Sequence, residues 1–217
     1  QPNLADIERH LDAGGIDLVC VENSHNYAGG AVVSLKRLAA IHELAGNHGV
    51  PVHMDGARMF NATVALGIAP AELCASVDTL MFCLSKGLSA PVGSIVCGDQ
   101  GTILEVRRMR KALGGAMRQA GVIAAPGLYA LRHNIDRLAE DHANAHAFAD
   151  AILDLPHTHI VGDVVTNIVV IDVSDLIDDP LRYCELAAQR GLIIRPVMKR
   201  YIRFVFYRGI TRDEALE

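Results

Sequence analysis

The sequence predicts an α/β fold on a mixed, mostly parallel sheet, and three observations carry that prediction. Short apolar runs alternate with amphipathic stretches of helical period, the pattern of successive βαβ units. Three of those runs end in polar clusters: Glu22-Asn23-Ser24-His25-Asn26, Asp55-Gly56-Ala57-Arg58 and Ser85-Lys86-Gly87. In open α/β sheets the loops after strand C-termini gather ligand-binding groups. The runs over 77–84 and 92–97 are separated by only seven residues. A parallel crossover needs about a dozen or more, so this pair is expected as an antiparallel hairpin.

In chain order, 4–11 spaces its apolar residues like a short helix closed by Gly14-Gly15, and 16–21 reads as a buried strand. Ser34 is positioned to cap a helix over 35–48, with Leu35, Leu38, Ile41 and Ala45 on one face. Gly49 ends it before a strand over 50–54. Helical stretches follow at 59–66 and 71–75, then the strand over 77–84, expected to be buried on both faces. Residues 102–113 form a basic helix whose arginines read as a solvated face. A long helix over 124–153, with Pro126 near its start, is expected to connect two domains. The domains are thus 1–123, a connecting helix 124–153, and a small α/β unit over 154–217. That last unit has strands at 167–173, 192–195 and 201–207 and a helix over 180–190 closed by Gly191.

Composition narrows the function. The 217 residues are 51% hydrophobic and 21% charged, enough to bury a real core. A net charge of -5 leaves no basic footprint for nucleic acid. No apolar run approaches the roughly twenty residues of a membrane span, and no secretory signal is visible at the start. The five cysteines are scattered without a C-x-x-C pair, so no metal site is expected and a reducing, cytoplasmic setting is. The chain opens on Gln1-Pro2 and closes just after the helix-starting pattern Thr211-Arg212-Asp213-Glu214. It is expected to be a piece of a longer protein.

His25, Asp55 with Arg58, and Lys86 are the reactive groups at strand ends. A lysine there is expected to be partly desolvated, which favours the neutral, nucleophilic amine. Each residue also has an ordinary alternative: a surface lysine, an aspartate capping the next helix, a loop histidine bonded to its neighbours. Together a lysine, a carboxylate and a histidine suit pyridoxal phosphate, which needs an amine to hold it and an acid to keep its ring nitrogen protonated.

Four segments carry a resemblance to a known family. They are Glu22-Asn23-Ser24-His25-Asn26 with Gly29-Gly30; residues 52–62 around Asp55-Gly56-Ala57-Arg58; Cys83-Leu84-Ser85-Lys86-Gly87 with Ala90-Pro91-Val92-Gly93-Ser94; and Arg110-Lys111 through Gly114-Gly115-Ala116-Met117-Arg118-Gln119. In this order they resemble the low-specificity L-threonine aldolases, pyridoxal 5'-phosphate enzymes of the aspartate aminotransferase-like (fold type I) architecture. The resemblance implies a large domain with a mixed sheet, a small C-terminal domain, and an N-terminal portion absent from these residues. That portion would carry the cofactor's phosphate loop and a ring-stacking histidine, neither of which has a counterpart here.

By the same resemblance, Lys86 holds the cofactor as a Schiff base, Asp55 faces the pyridine nitrogen, and Arg58 and Ser85 complete the cofactor-binding set. Arg118 and Arg203 bind the substrate carboxylate, with Arg195 and Arg208 near enough in sequence to compete with Arg203 for that role. His25 stands near the substrate hydroxyl as base or as activator of a water. The implied reaction is aldol cleavage of L-threonine or L-allo-threonine to glycine and an aldehyde, by a homotetramer. Another pyridoxal phosphate lyase, racemase or aminotransferase, or a non-catalytic fragment, is the alternative.

Overall fold

The computed structural model describes residues 1–197 and 200–217. The chain divides into two compact units, Gln1–Ser24 with Val32–Asp136, and His25–Ala31 with Arg137–Glu217.

In the first unit, Asn3 caps α1 (Leu4–Asp12) by accepting the Ala5 N–H. β1 (Val19–Glu22) leads on to α2 (Leu35–Asn47). Ser34 caps α2 as the sequence predicts, its hydroxyl accepting from Arg37 N at 3.3 Å. β2 (Val52–Asp55), α3 (Met59–Leu66) and α4 (Pro70–Cys74) come next, then β3 (Thr79–Cys83) and β4 (Ser94–Cys97). Among the described residues the sheet order is β1-β2-β3-β4. The first three strands are parallel and β4 returns antiparallel to β3, as the short connection requires. Register places Glu22 beside Asp55 and Asp55 beside Met81, so β1 and β2 end level while β3 runs on to Cys83 at the same end of the sheet.

β3 is not buried on both faces. Leu80 and Phe82 are buried while Thr79, Met81 and Cys83 are half-exposed. The sealed face lies under α3, where Phe60 meets Phe82 edge-on at 5.2 Å between centroids. α5 (Gln100–Ala112) starts two residues before the expected position because Asp99 accepts from Gly101 N and Thr102 N, at 2.7 and 3.1 Å. It buries no residue, in keeping with a solvated basic helix.

The expected connecting helix over 124–153 is two helices, α6 (Gly121–His133) and α7 (Leu138–Ile152). Asn134 ends the first: its side chain is buried and donates to Leu88 O at 2.7 Å instead of facing along a helix. Arg137 begins the second by folding back on Asp141, one helical turn ahead. The boundary between units falls between Asp136 and Arg137, and α7 belongs wholly to the second unit.

That second unit continues with β5 (His159–Ile160), β6 (Ile168–Asp172), α8 (Pro180–Ala188), β7 (Pro196–Val197), β8 (Tyr201–Val205) and α9 (Arg212–Leu216). Its antiparallel sheet runs β5-β6-β8-β7 among the described residues. Val169, Ile171, Ile202 and Phe206 form one core with Ala145 and Ala149 of α7. The strand expected at 192–195 does not form. Leu192 N instead closes the end of α8 on Ala187 O, Ile193 is 86% exposed, and pairing begins only at Pro196–Val197. α9 begins at the predicted capping box, with Thr211 N donating to Glu214 Oε2 at 2.8 Å and Glu214 N to Thr211 Oγ1 at 3.3 Å.

Candidate active site

The first unit supplies Asp55, Arg58, Ser85, Lys86 and Arg118. Asp55 ends β2 exposed to solvent, with Oδ1 accepting from Ala57 N at 3.0 Å. That bond tightens the turn into α3. Gly56 makes the turn possible: its N–H donates to Met81 O at 2.9 Å, and a Cβ there would stand 2.8 Å from the same oxygen. Arg58 follows half-buried as the first flank of α3.

Lys86 lies in the hairpin between β3 and β4, just past the strand neighbouring that of Asp55 and at the same end. Its loop is fixed through the backbone. Leu84 N donates to Gly93 O at 2.9 Å, Ala90 N to Leu84 O at 3.0 Å, and Ser89 N to Lys86 O at 2.8 Å. From outside the loop, Asn134 holds Leu88 O, and Gly127 of α6 packs so closely that an added Cβ would stand 2.8 Å from Leu84 Cδ1. The peptide carrying the lysine is therefore held in place by its backbone bonds. Lys86 and Ser85 are both exposed, so the expected desolvation of the amine is not found in these residues. The reason is position: the lysine sits past the last strand pair, beyond the buried part of β3. Arg118 is exposed on the bend between α5 and α6.

His25 and Arg203 belong to the second unit. Residues 25–31 form a closed loop that departs from the end of β1 yet packs on β6. His25 N donates to Ala31 O at 2.8 Å and Gly30 N to His25 O at 2.9 Å. The Gly29-Gly30 pair lets the loop lie flush on the sheet. A Cβ on Gly30 would stand 2.1 Å from Thr166 Oγ1 and 3.3 Å from Ile168 Cβ, and Gly30 has φ +76°. Thr166, itself buried, donates to Gly30 O at 2.9 Å. His25 Nδ1 accepts the Ala28 N–H at 3.2 Å. A neutral ring making that bond carries its proton on Nε2.

Arg203 is half-buried on β8 opposite Val170, and its Nη1 donates to Asn26 Oδ1 at 2.8 Å. Its Nε is shielded from solvent and has no hydrogen-bond partner among the described residues. An unpaired buried N–H costs about 1–3 kcal/mol. Arg203 also lines an open cleft of about 690 Å³ with Tyr27, Phe148 and Arg195. Arg195 and Arg208 are exposed, whereas Arg203 is half-buried and bonded to Asn26.

Electrostatics in this unit are set by burial and by one ion pair. Burial pushes the His142 imidazole on α7 down to about 4, with His146 adding to the effect. Asp141 beside it is raised, since burial outweighs its bond to Arg137. Arg200 holds Asp172 down to about 2 through a short charged hydrogen bond. Among the described residues no cluster of three or more His, Cys, Asp or Glu side chains could hold a metal, and no helix is long and apolar enough to cross a membrane.

Sequence reasoning missed Asn26, Gly127, Asn134 and Thr166, which hold the candidate groups without being reactive. Only Asn26 carried a signal, since it stands inside the first of the four motifs.

Comparison with known proteins follows the same lines. A family model described as beta-eliminating lyase matches residues 1–176. Low-specificity L-threonine aldolase 1 of Arabidopsis thaliana is 39% identical over 202 residues, covering 91% of this chain and 56% of that protein. The chain spans about half the length of the curated relatives it matches. Among solved structures, Leishmania major threonine aldolase superposes with a TM-score of 0.79 at 15% identity, over 100% of this chain and 65% of that one. The ornithine aminotransferase of Toxoplasma gondii ME49 does so at 0.69 and 20% identity, over 99% and 52%. At those identities the likeness is one of fold, and it bears out the expected α/β class.

Proposed function

The chain belongs to the beta-eliminating lyase family, and from that membership we propose that the protein cleaves the Cα–Cβ bond of β-hydroxy-α-amino acids such as L-threonine and L-allo-threonine. Glycine and an aldehyde are the products, and pyridoxal 5'-phosphate is the cofactor. The observation that carries this reading is the placement of Lys86 and Asp55 at the same end of adjacent strands, both open to solvent. The residues present fit the cofactor: an accessible amine on a peptide held by backbone bonds, and beside its strand an exposed carboxylate whose Oδ1 accepts from the backbone.

When bound, pyridoxal phosphate supplies the electron sink for the pair released at Cα. Lys86 would hold it by its amine, Asp55 would keep the ring nitrogen protonated, and Arg58 and Ser85 would lie alongside. Arg118 and Arg203 would take the substrate carboxylate, and two guanidinium forks fix its orientation far better than one charge. His25 Nε2, donating while Nδ1 is bonded to Ala28 N, would hold the β-oxygen in place. For Nε2 to act as the base, the ring must first give up that Nδ1 bond. The β-hydroxyl proton leaves as the aldehyde forms, and Cα gains one to become glycine. Assembly as a homotetramer in the cytoplasm belongs to the same proposal, and light scattering checks the assembly.

The test uses the protein expressed from its complete reading frame. With pyridoxal phosphate and L-threonine it should release glycine and acetaldehyde in equal amounts. The Lys86→Ala variant should lose both the visible absorbance of bound cofactor and the cleavage. Persistence of both in that variant would overturn the reading, and a 2-oxo acid in place of glycine would move it to transamination.

A further inference from the structure

We propose that residues 193–195 are a strap that closes onto the open edge of β8 when a carboxylate binds, and that closure brings Arg195 to the substrate as a further grip. The proposal rests on the role given to Arg203 in the proposed function. Pairing between β7 and β8 stops at Pro196 opposite Ile202. Phe206 N donates to Asn167 O, toward β6. Alternate residues of a strand turn their backbone groups to opposite neighbours, so those of Arg203 and Val205 point away from β6. The cleft beside them has residues 192–197 among its lining.

The strap already has the orientation of a strand. Ile194 and Phe204 are half-buried and pack against one core, while Ile193 and Arg195 on either side of Ile194 are exposed. Continuing the register of β7 sets Ile194 opposite Phe204 and Arg195 opposite Arg203. Pro196 fits because Ile202 turns its backbone groups toward β6, so the ladder asks no donor of residue 196. The next pair, Arg195 with Arg203, would exchange both backbone bonds.

Charge opposes closure. Residues directly opposite in an antiparallel pair share a face, and like charges there disfavour the pair. A closed strap sets two guanidinium groups side by side on the face of Val170, where Gly29 of the loop 25–31 also lies. A carboxylate between them replaces repulsion with charge-assisted contacts to both. Closure and carboxylate binding therefore favour each other, and a ligand without the charge leaves the strap open.

The test uses the full-length protein carrying pyridoxal phosphate, with glycine as the carboxylate ligand and glycinamide, which lacks the charge, as its control. Amide exchange at residues 193, 195, 203 and 205 should slow about tenfold in glycine and stay unchanged in glycinamide. Arg195→Gln removes the repulsion and the grip together. Its strap should be protected without any ligand, glycine affinity should fall about tenfold, and KM for L-threonine should rise about tenfold with kcat within about twofold. Ile193→Pro keeps the charge of Arg195 and removes a donor that the closed strap uses, so glycine should give little protection and bind about threefold more weakly. Both positions are exposed, so both variants should fold. Exchange in the parent that is the same with and without glycine would overturn the strap. Unchanged glycine affinity in Arg195→Gln would overturn the grip. Arg203→Lys isolates the reading beneath: if it keeps the full preference for glycine over glycinamide, the carboxylate role of Arg203 fails and the strap loses its ligand.

Discussion

The hairpin loop that carries Lys86 and the loop over 25–31 that carries His25 are built on one plan and differ in one respect. In each, a side chain from outside the loop bonds a loop carbonyl: Asn134 to Leu88 O at 2.7 Å, Thr166 to Gly30 O at 2.9 Å. Each has one contact too close for a Cβ, at Gly127 against Leu84 and at Gly30 against Thr166. The difference is in the side chains. Lys86 is exposed on its fixed peptide, whereas His25 and Asn26 have their side chains bonded, to Ala28 N and to Arg203. A group that must reach and hold a cofactor needs a rigid base and a free arm. Groups that orient a carboxylate and a hydroxyl need the arm fixed as well.

The comparison breaks most severely at Gly30. Its φ of +76° already disfavours any other residue, and a Cβ would stand 2.1 Å from the oxygen of a buried threonine. Gly30→Ala is expected to destabilise the protein by about 4 kcal/mol, combining left-handed strain with overpacking. Urea unfolding checks it. A loss under about 1 kcal/mol would mean that the loop does not lie on β6.

Acid should separate the two loops next. His142 belongs to the unit that seats the loop 25–31, and burial holds it at about 4. A histidine whose folded pKa is depressed contributes stability that is complete above its unfolded value of 6.5 and is lost as pH falls from there to about 4. Over that window the loss is on the order of 3 kcal/mol. Asp141, raised by burial, acts in the opposite sense and restores part of it as it protonates. Asp172, held down to about 2 by Arg200, adds a further loss only below its unfolded value of 3.8. Amide exchange near pH 5 should therefore quicken in 137–217 before it does in the lysine loop. His142→Gln should remove most of that difference, and equal quickening in both units of that variant and its parent would defeat the assignment.

Asn134→Ala strikes the lysine loop in return. It leaves Leu88 O without its side-chain donor in a buried setting, at a cost of about 2 kcal/mol. Denaturant unfolding should show the loss, and cofactor affinity should fall with it because the peptide of Lys86 loosens. Unchanged affinity in a destabilised variant would show that the lysine does not depend on this anchor.

What the sequence made legible follows the same division. Local signals placed the cap of α2, the helix at Met59–Leu66, the hairpin after β3 and the capping box at α9. All of these are decided within a few residues. The polar strand ends were readable too, since alternation alone implies that parallel strands finish along one edge. The break between α6 and α7 was not, because Asn134 is diverted by a carbonyl 46 residues away. Nor was the membership of 25–31 in the second unit, which depends on Thr166 and Arg203, 136 and 177 residues from their partners. The misplaced strand at 192–195 has a simpler cause: an apolar run satisfies a strand pattern whether or not a partner lies beside it.

Gly127→Ala is the finest probe of the lysine loop, because two effects of similar size oppose each other. Replacing a helical glycine with alanine ordinarily stabilises by about 1 kcal/mol, since the unfolded chain loses freedom. Here the new Cβ would stand 2.8 Å from Leu84 Cδ1, the end of a buried but rotatable side chain. Leu84 must turn, and its peptide leads directly into Ser85 and Lys86. Net stability should change by less than about 1 kcal/mol while affinity for pyridoxal phosphate falls about threefold, read by titration against thermal melting. A gain near the full helical value with affinity unchanged would mean that Leu84 yields freely and that Asn134 alone holds the loop. A split between the two readouts would show that α6 sets where the lysine stands.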